Sequence, residues 1–500
     1  MVTRRTFLAA SIAGISGLSG CSAWLPRSSE TGGGQPAIAT RRLIVDRRSI
    51  EVHGKDATVF GLHQPDGTRG VFLDPGERFV IDLDNRLSAP TAVHWHGQTP
   101  PPGQDGIAEF GVPLIGPSER RSYDFVPRAG THWMHSHQGL QHQNLLSAPL
   151  IVRTADEVKS DTQEVTIFLE DFMFGDPAEV VARLKGGTGT TEAASAHADS
   201  MKAESPGPMH MRAMGDMNMQ MNMSGPAAGG KMDLNDVDFD AYLANARTLD
   251  DPEIVRVERG GRVRLRVING ASSTNFHIDL GALNGTAVAV DGNPIQPMQG
   301  RRFGLAMAQR IDILVDVPKG DGAWPILALR EGSREQTGVV LATSAANVRT
   351  VSSLAAMDAG PVSFDQEMRL SALQPLAPRP VDATFMLMLG GSMQPYAWTI
   401  NGKRWENRDA VRIYAGQRVA ITFHNLTMMS HPMHLHGHHF QVVNINGSAF
   451  SGARRDTVHV PPLSKVTVAF DADNAGRWLL HCHNLYHMET GMMTEVTYVA

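Results

Sequence analysis

A chain of 500 residues exceeds one ordinary domain and is predicted to hold two to four. Its 42% apolar and 19% charged content is that of a soluble globular protein able to bury several cores. A net charge of −6 and a pI near 6.4 give no electrostatic reason to expect nucleic acid as a partner.

The chain opens on Thr3-Arg4-Arg5-Thr6-Phe7-Leu8, and an apolar run continues to Leu18-Ser19-Gly20-Cys21. Paired arginines before a short hydrophobic segment resemble a twin-arginine export signal, and the run is too short to span a bilayer as a permanent helix. The mature protein is therefore expected outside the cytoplasm, in the periplasm or lipid-anchored to the outer face of a bacterial membrane. The words Leu18-Ser19-Gly20-Cys21 also resemble a lipobox, in which Cys21 is lipidated; the alternative is a Cys that happens to end a signal cleaved elsewhere. Residues 28–40 are Gly- and Ser-rich and read as a linker, closing a leader over 1–40. Only two Cys are present, and the second, Cys482, lies in a metal-type motif, so no structural disulfide is expected even in an oxidising compartment.

Beyond the linker an internal repeat sets the architecture. Residues 74–85, 257–269 and 413–425 each run from a turn Gly through an alternating strand to an Asn: Asn85, Asn269 and Asn425. The spacing from Gly76 to His94 equals that from Gly416 to His434. Gly130-Thr131-His132-Trp133-Met134-His135-Ser136-His137 likewise matches Gly476-Arg477-Trp478-Leu479-Leu480-His481-Cys482-His483. Three β-sandwich domains follow, at roughly 41–155, 160–345 and 360–500. The first carries Ser136 where the third carries Cys482. The second has Leu327-Ala328-Leu329 at that strand and only His277 near its other ligand position, which reads as a structural spacer with an ordinary surface or core histidine.

Within the second domain, residues 201–232 hold Met209, Met211, Met214, Met217, Met219, Met221 and Met223 among Gly, Pro and Asn. No helical or strand stripe is available to a core, so the stretch is expected to be a mobile insertion. Thioethers are soft donors suited to Cu(I), whereas a solvated loop that merely uses Met is the plainer alternative. Met428 and Met429, just before His431, would continue a thioether path or simply pack.

The C-terminal stretch His481-Cys482-His483-Asn484-Leu485-Tyr486-His487-Met488-Glu489-Thr490-Gly491-Met492 concentrates imidazoles, a thiol and thioethers. If Arg477–Leu480 lead into a strand, alternation sends His481 and His483 to one face and Cys482 to the other, so one strand serves two metal centres. Thiolate, imidazole and a weak thioether are the ligands of a blue-copper site once a second His arrives. Cys482, His487 and Met492 are the candidates, with Met488 and Met493 as nearby rivals for the thioether.

With His94-Trp95-His96-Gly97, His135-Ser136-His137 and His431-Pro432-Met433-His434-Leu435-His436-Gly437, four clusters in this chain order resemble the multicopper oxidases. The resemblance implies an all-β fold of three consecutive cupredoxin-type Greek-key sandwiches and four copper ions enclosed by the first and third. It assigns His431, Cys482, His487 and Met492 to a type-1 copper and His94 with His434 to a type-2 copper. It gives His96, His135 and His483 to one type-3 copper, and His137, His436 and His481 to the other. It also implies that single electrons pass from a reductant through an exposed imidazole edge of His431 or His487, then through Cys482 to His481 and His483, until dioxygen leaves as two waters. Asp105 sits where the family has an acid beside the cluster, a candidate proton donor as against a turn Asp before Gly106. Where many bacterial members carry a second Glu this chain has Met488, and Glu489, read on a strand, would face away. Thr427-Met428-Met429 and Tyr486-His487-Met488-Glu489 look closest to the periplasmic copper-resistance oxidases, although this chain is shorter. Oxidation of Cu(I) is the favoured role, laccase-like oxidation of phenols the competing one, and copper sequestration or carriage a third of another class.

Overall fold

Asn85, Asn269 and Asn425 close the three repeated strands and are fully buried. Each amide oxygen accepts the N–H two residues on, from Leu87, Ala271 and Thr427 at 3.0, 3.1 and 2.9 Å. Each Nδ2 donates to loop carbonyls, those of Ala89, Ile115 and Gly116, of Thr274 and Leu305, and of Met429, Val460 and Pro461. Such a turn satisfies the buried backbone of its own loop from inside, so one polar side chain recurs in three cores.

The computed structural model describes residues 40–186 and 234–499. Arg4, Arg5, Cys21 and the Met-rich stretch lie outside them. Among the described residues no helix is long and apolar enough to cross a membrane. The fold is all-β, three consecutive cupredoxin-type sandwiches. In the first, one sheet runs in the order Lys55–His63, Arg41–Val52, Phe79–Asn85, Arg120–Phe125. The other runs Val71–Leu73, Ser147–Val152, Gly130–Ser136, Val93–His96. The third sandwich repeats this second sheet with an added strand, in the order Val411–Ile413, Met493–Tyr498, Arg477–Cys482, His431–Leu435, Thr457–Val460.

Register in these two sheets positions the histidines. His94 lies opposite His135, and His434 lies opposite His481. Alternation along Val93–His96 sends Trp95 into the first core, 4.8 Å from the rings of both Phe79 and Tyr123, and turns His94 and His96 the other way. The first and third sandwiches meet through these rings: His94 packs on His436 at 3.9 Å and His96 on His434 at 3.8 Å. In the middle sandwich His277 lies opposite Leu329 and its Nε2 is 2.8 Å from the Gly360 carbonyl, so it is bonded as an ordinary histidine.

One local expectation fails here. The strand Arg477–Cys482 stops at Cys482, and Leu485–Glu489 form a single helical turn. Asn484 starts it as an N-cap, its side-chain oxygen accepting the N–H groups of Tyr486 and His487 at 3.0 and 3.3 Å. Glu489 is therefore on a helix, and the strand argument that turned it away does not apply.

Candidate metal centre

Eight histidines from the first and third sandwiches converge between them, all buried. Seven have one ring nitrogen tied back to the protein. His94 Nδ1 is 3.0 Å from the Asp105 carbonyl, His434 Nδ1 is 2.9 Å from the Asp456 carbonyl, and His436 Nδ1 is 2.8 Å from Asp105 Oδ2. His135 and His481 bond to the Ser136 and Cys482 carbonyls at 3.0 and 2.9 Å. His137 Nδ1 meets Glu109 at 2.8 Å, and His96 Nε2 meets Asp456 Oδ1 at 3.0 Å.

The opposite nitrogens are what the site leaves over. Nε2 of His94, His135, His137 and His434, Nδ1 of His96, and both nitrogens of His483 are buried without a partner. His436 Nε2 and His481 Nε2 face one another at 3.0 Å. Buried donors and acceptors are rarely orphaned, and so many imidazole lone pairs tied back at their far ends are the arrangement of a metal centre. The donor atoms of His137, His436 and His481 form one group within 4.8 Å, as do those of His94, His434 and His436, and those of His94, His96 and His135. His483 joins by ring packing, 5.0 Å from His96 and from His135.

A second group stands at the thiol. Cys482 Sγ lies 3.7 Å from His431 Nδ1 and 3.6 Å from His487 Nδ1, which are 3.1 Å apart. Met492 is fully buried in the same core cluster, and its carbonyl accepts the Cys482 N–H at 3.0 Å. Burial pushes the Cys482 thiol well up, so a bound cation is what would hold the thiolate. The expected exposed imidazole edge is absent among the described residues: His431 and His487 are both 0% exposed. Thr427 Oγ1 covers His431 Nε2 at 2.8 Å, and the buried Asp236 carboxylate lies 2.6 Å from His487 Nε2. Trp398 stacks on His487 at 4.0 Å.

Comparison with known proteins agrees with this geometry. Three family models described as multicopper oxidase match residues 66–157, 164–348 and 378–499. The chain is 32% identical over 449 residues to the multicopper oxidase MmcO of Mycobacterium tuberculosis, covering 85% of this chain and 80% of that protein. It belongs to the multicopper oxidases. A copper resistance protein A homolog of Pseudomonas syringae pv. tomato is 25% identical, with 99% and 98% of the two chains covered. Among solved multicopper oxidases, Fet3p, which functions in iron import, shares the fold at a TM-score of 0.72 and 18% identity, covering 92% of this chain and 90% of its own. The laccase from Botrytis aclada does so at 0.71 and 20%, covering 92% and 88%.

This multicopper oxidase also uses residues that no motif marked. Asp456, fully buried, takes two hydrogen bonds from Arg310 of the middle sandwich at 2.7 and 2.5 Å while it holds His96. The domain without metal motifs thus braces the cluster. Glu109, four residues past Asp105, and Asp236, just after the Met-rich stretch, are the other two. In sequence Glu109 is a single acid in a loop, and Asp236 opens the alternating run Asp236-Val237-Asp238-Phe239-Asp240, which carries no metal-ligand spacing.

The electrostatics predict an acid-labile copper-free protein. Burial first, then neighbouring imidazoles, holds His96, His135, His434, His436, His483 and His431 well below the usual histidine range, and His481 is pushed down to about 3. Burial opposes charge at His137 too, but Glu109 prevails and raises its pKa. A histidine that is neutral when folded and takes a proton only on unfolding favours the unfolded chain as pH falls. Stability is therefore fully present above the ordinary value of 6.5 and is lost progressively below it, down to the folded values. His137 runs the opposite way and is outnumbered. Thermal unfolding of the copper-free protein across that range should show a falling midpoint, and a flat profile would contradict the burial argument.

Proposed function

We propose that the protein oxidises Cu(I) to Cu(II) in copper tolerance, with dioxygen as the acceptor: four Cu(I), one dioxygen and four protons give four Cu(II) and two waters. The Met-rich stretch 201–232 carries this reading, because closely spaced thioethers select Cu(I) and offer a phenol neither charge nor an aromatic platform. Met428, 63% exposed and three residues before His431, extends soft donors toward the thiol centre. Relatives named copper resistance protein A that align with 99% of the chain add support. The reading includes export by the twin-arginine route to the periplasm, with Cys21 as a lipid attachment point to be tested.

In this reading His431, Cys482, His487 and Met492 hold type-1 copper, and His94 with His434 hold type-2. His96, His135 and His483 hold one type-3 copper, and His137, His436 and His481 the other. When bound, these four coppers store and transfer the electrons that dioxygen requires. Cys482 lies between His481 and His483 in sequence, so adjacent covalent bonds join the two centres. Asp236, 2.6 Å from His487 Nε2, sets a carboxyl group beside that buried imidazole on the side from which an electron from a cationic donor would arrive. Asp105 anchors His436 and holds a buried carboxylate for proton delivery.

The second reading, phenol oxidation, rests on one contact: the Tyr396 hydroxyl donates to Asp236 Oδ2 at 3.0 Å, so this carboxylate already accepts from a phenol. Oxygen uptake with Cu(I) and with a phenol on one preparation separates the two. We expect sustained uptake with Cu(I), and deletion of residues 205–225 should weaken the apparent affinity for Cu(I) while phenol turnover stays level or rises. Uptake that ends at stoichiometric copper would identify a carrier, and phenol turnover that falls with the deletion while Cu(I) kinetics survive would favour the laccase reading.

A further inference from the structure

Where the three sandwiches meet, Arg128 and Arg454 line two adjoining cavities. One of about 430 Å³ includes Thr99, His439 and Asn474, and one of about 300 Å³ includes Asn293. Neither guanidinium has a carboxylate within ion-pair distance among the described residues. Arg128 Nη2 donates to Asn293 Oδ1 at 3.1 Å, whereas the Arg454 side chain makes no hydrogen bond or ion pair there, and Nε of both is buried without a partner.

The nearby polar groups are already committed. Asp471 and Asp473 also line the larger cavity: Asp471 is held by Arg418 and Arg379, each at 2.8 Å, and the exposed Asp473 lies beyond ion-pair distance of both cavity arginines. His439 bonds to the Gly97 carbonyl at 2.9 Å and to Asn293 at 2.7 Å, and Asn474 to the Gly437 carbonyl at 3.1 Å. Burial first, then the Arg454 cation, lower the pKa of Arg128 against the opposing pull of Asp456 and Asp473. Asp471 and Asp473 of the cavity wall favour the charged form of Arg454 from beyond ion-pair distance, so what the two part-buried guanidinium groups leave over is unused N–H donors, Nε of both among them.

We propose that this junction is a binding site for a small oxyanion, phosphate or carboxylate, held between the Arg128 and Arg454 forks. The planar guanidinium presents paired N–H groups that match the oxygens of such anions, which a halide does not. Its occupant would tie the first sandwich to the third and stabilise the assembled protein by mass action. One wall touches the copper-ligand region, since His439 holds the carbonyl of Gly97, next to His96.

The test titrates the copper-loaded protein calorimetrically with inorganic phosphate and, separately, with malonate at constant ionic strength. Saturable one-to-one binding is expected in at least one arm, and the stronger arm identifies the class of anion. R454Q should bind at least about tenfold more weakly, the loss of one charge-assisted contact. R128Q should do the same, but it also loses the bond to Asn293; R454Q gives up no such bond and keeps the test independent of folding. Absence of saturable binding in both arms, or unchanged affinity in R454Q, would overturn the proposal.

Discussion

Cys482→Ser is expected to lose the visible blue absorption and the oxidation of every substrate together, with turnover falling to background. The thiolate is the one ligand that no hydroxyl replaces, because a serine neither ionises at this buried position nor forms the strong, covalent copper–sulfur bond. Sγ sits within 3.7 Å of both His431 Nδ1 and His487 Nδ1, so the change removes one corner of the ligand triangle. The eight-histidine cluster takes none of its ring nitrogens from this side chain, so copper should remain there, visible by metal analysis and electron paramagnetic resonance. The fold should survive at a cost of about 1–3 kcal/mol for a poorly paired buried hydroxyl. A variant that stayed blue would show that the thiol centre is assigned to the wrong residue.

The reason these ligands are legible without coordinates is that strand geometry is local. A His-X-His pair on a strand puts two imidazoles on one face whatever the rest of the molecule does, and the repeat of Gly76–His94 in Gly416–His434 shows that two sheets carry the same register. The buried Asn at the end of each repeat was equally legible as a loop opener, though not as the hydrogen-bond hub it becomes. What escaped is set by packing between distant segments. Arg310 and Asp456 are 146 residues apart, and Asp236 reaches His487 across a longer gap. Neither acid has a neighbour in sequence that announces its partner. The strand expected at Glu489 fails for a different reason: Asn484 is a good N-cap, and it ends the alternation of Arg477–Cys482 before Glu489 is reached. The expected exposed imidazole edge failed because Tyr396–Ile400, a strand with no metal motif, lays Trp398 over His487.

That packing makes the acid beside the cluster the more informative target. In the proposed reading Asp105 both anchors histidines and delivers a proton, and the sequence pointed only to the second of these. Its backbone carbonyl anchors His94 at 3.0 Å and its Oδ2 anchors His436 at 2.8 Å, while the buried Oδ1 lies 3.3 Å from His94 Nδ1 without forming a hydrogen bond. Asp105→Ala keeps the bond to His94 but frees His436, so copper affinity should fall by about 10–100-fold, the usual effect of losing a group that orients a ligand. Asp105→Asn retains a carbonyl oxygen for His436 Nδ1 and should retain copper, but it cannot carry a proton. In single-turnover experiments, oxygen-driven reoxidation of Asp105→Asn should slow by about a hundredfold or more, the range for loss of a positioned acid, while anaerobic bleaching of the blue band by substrate keeps its rate. Asp105→Glu, with the same chemistry on a longer arm, should recover part of the oxygen step. Equal slowing of bleaching and reoxidation in Asp105→Asn would leave the carboxylate as an anchor for His436 alone, and the proton would have to come from elsewhere, with Glu109 at His137 the next residue to change.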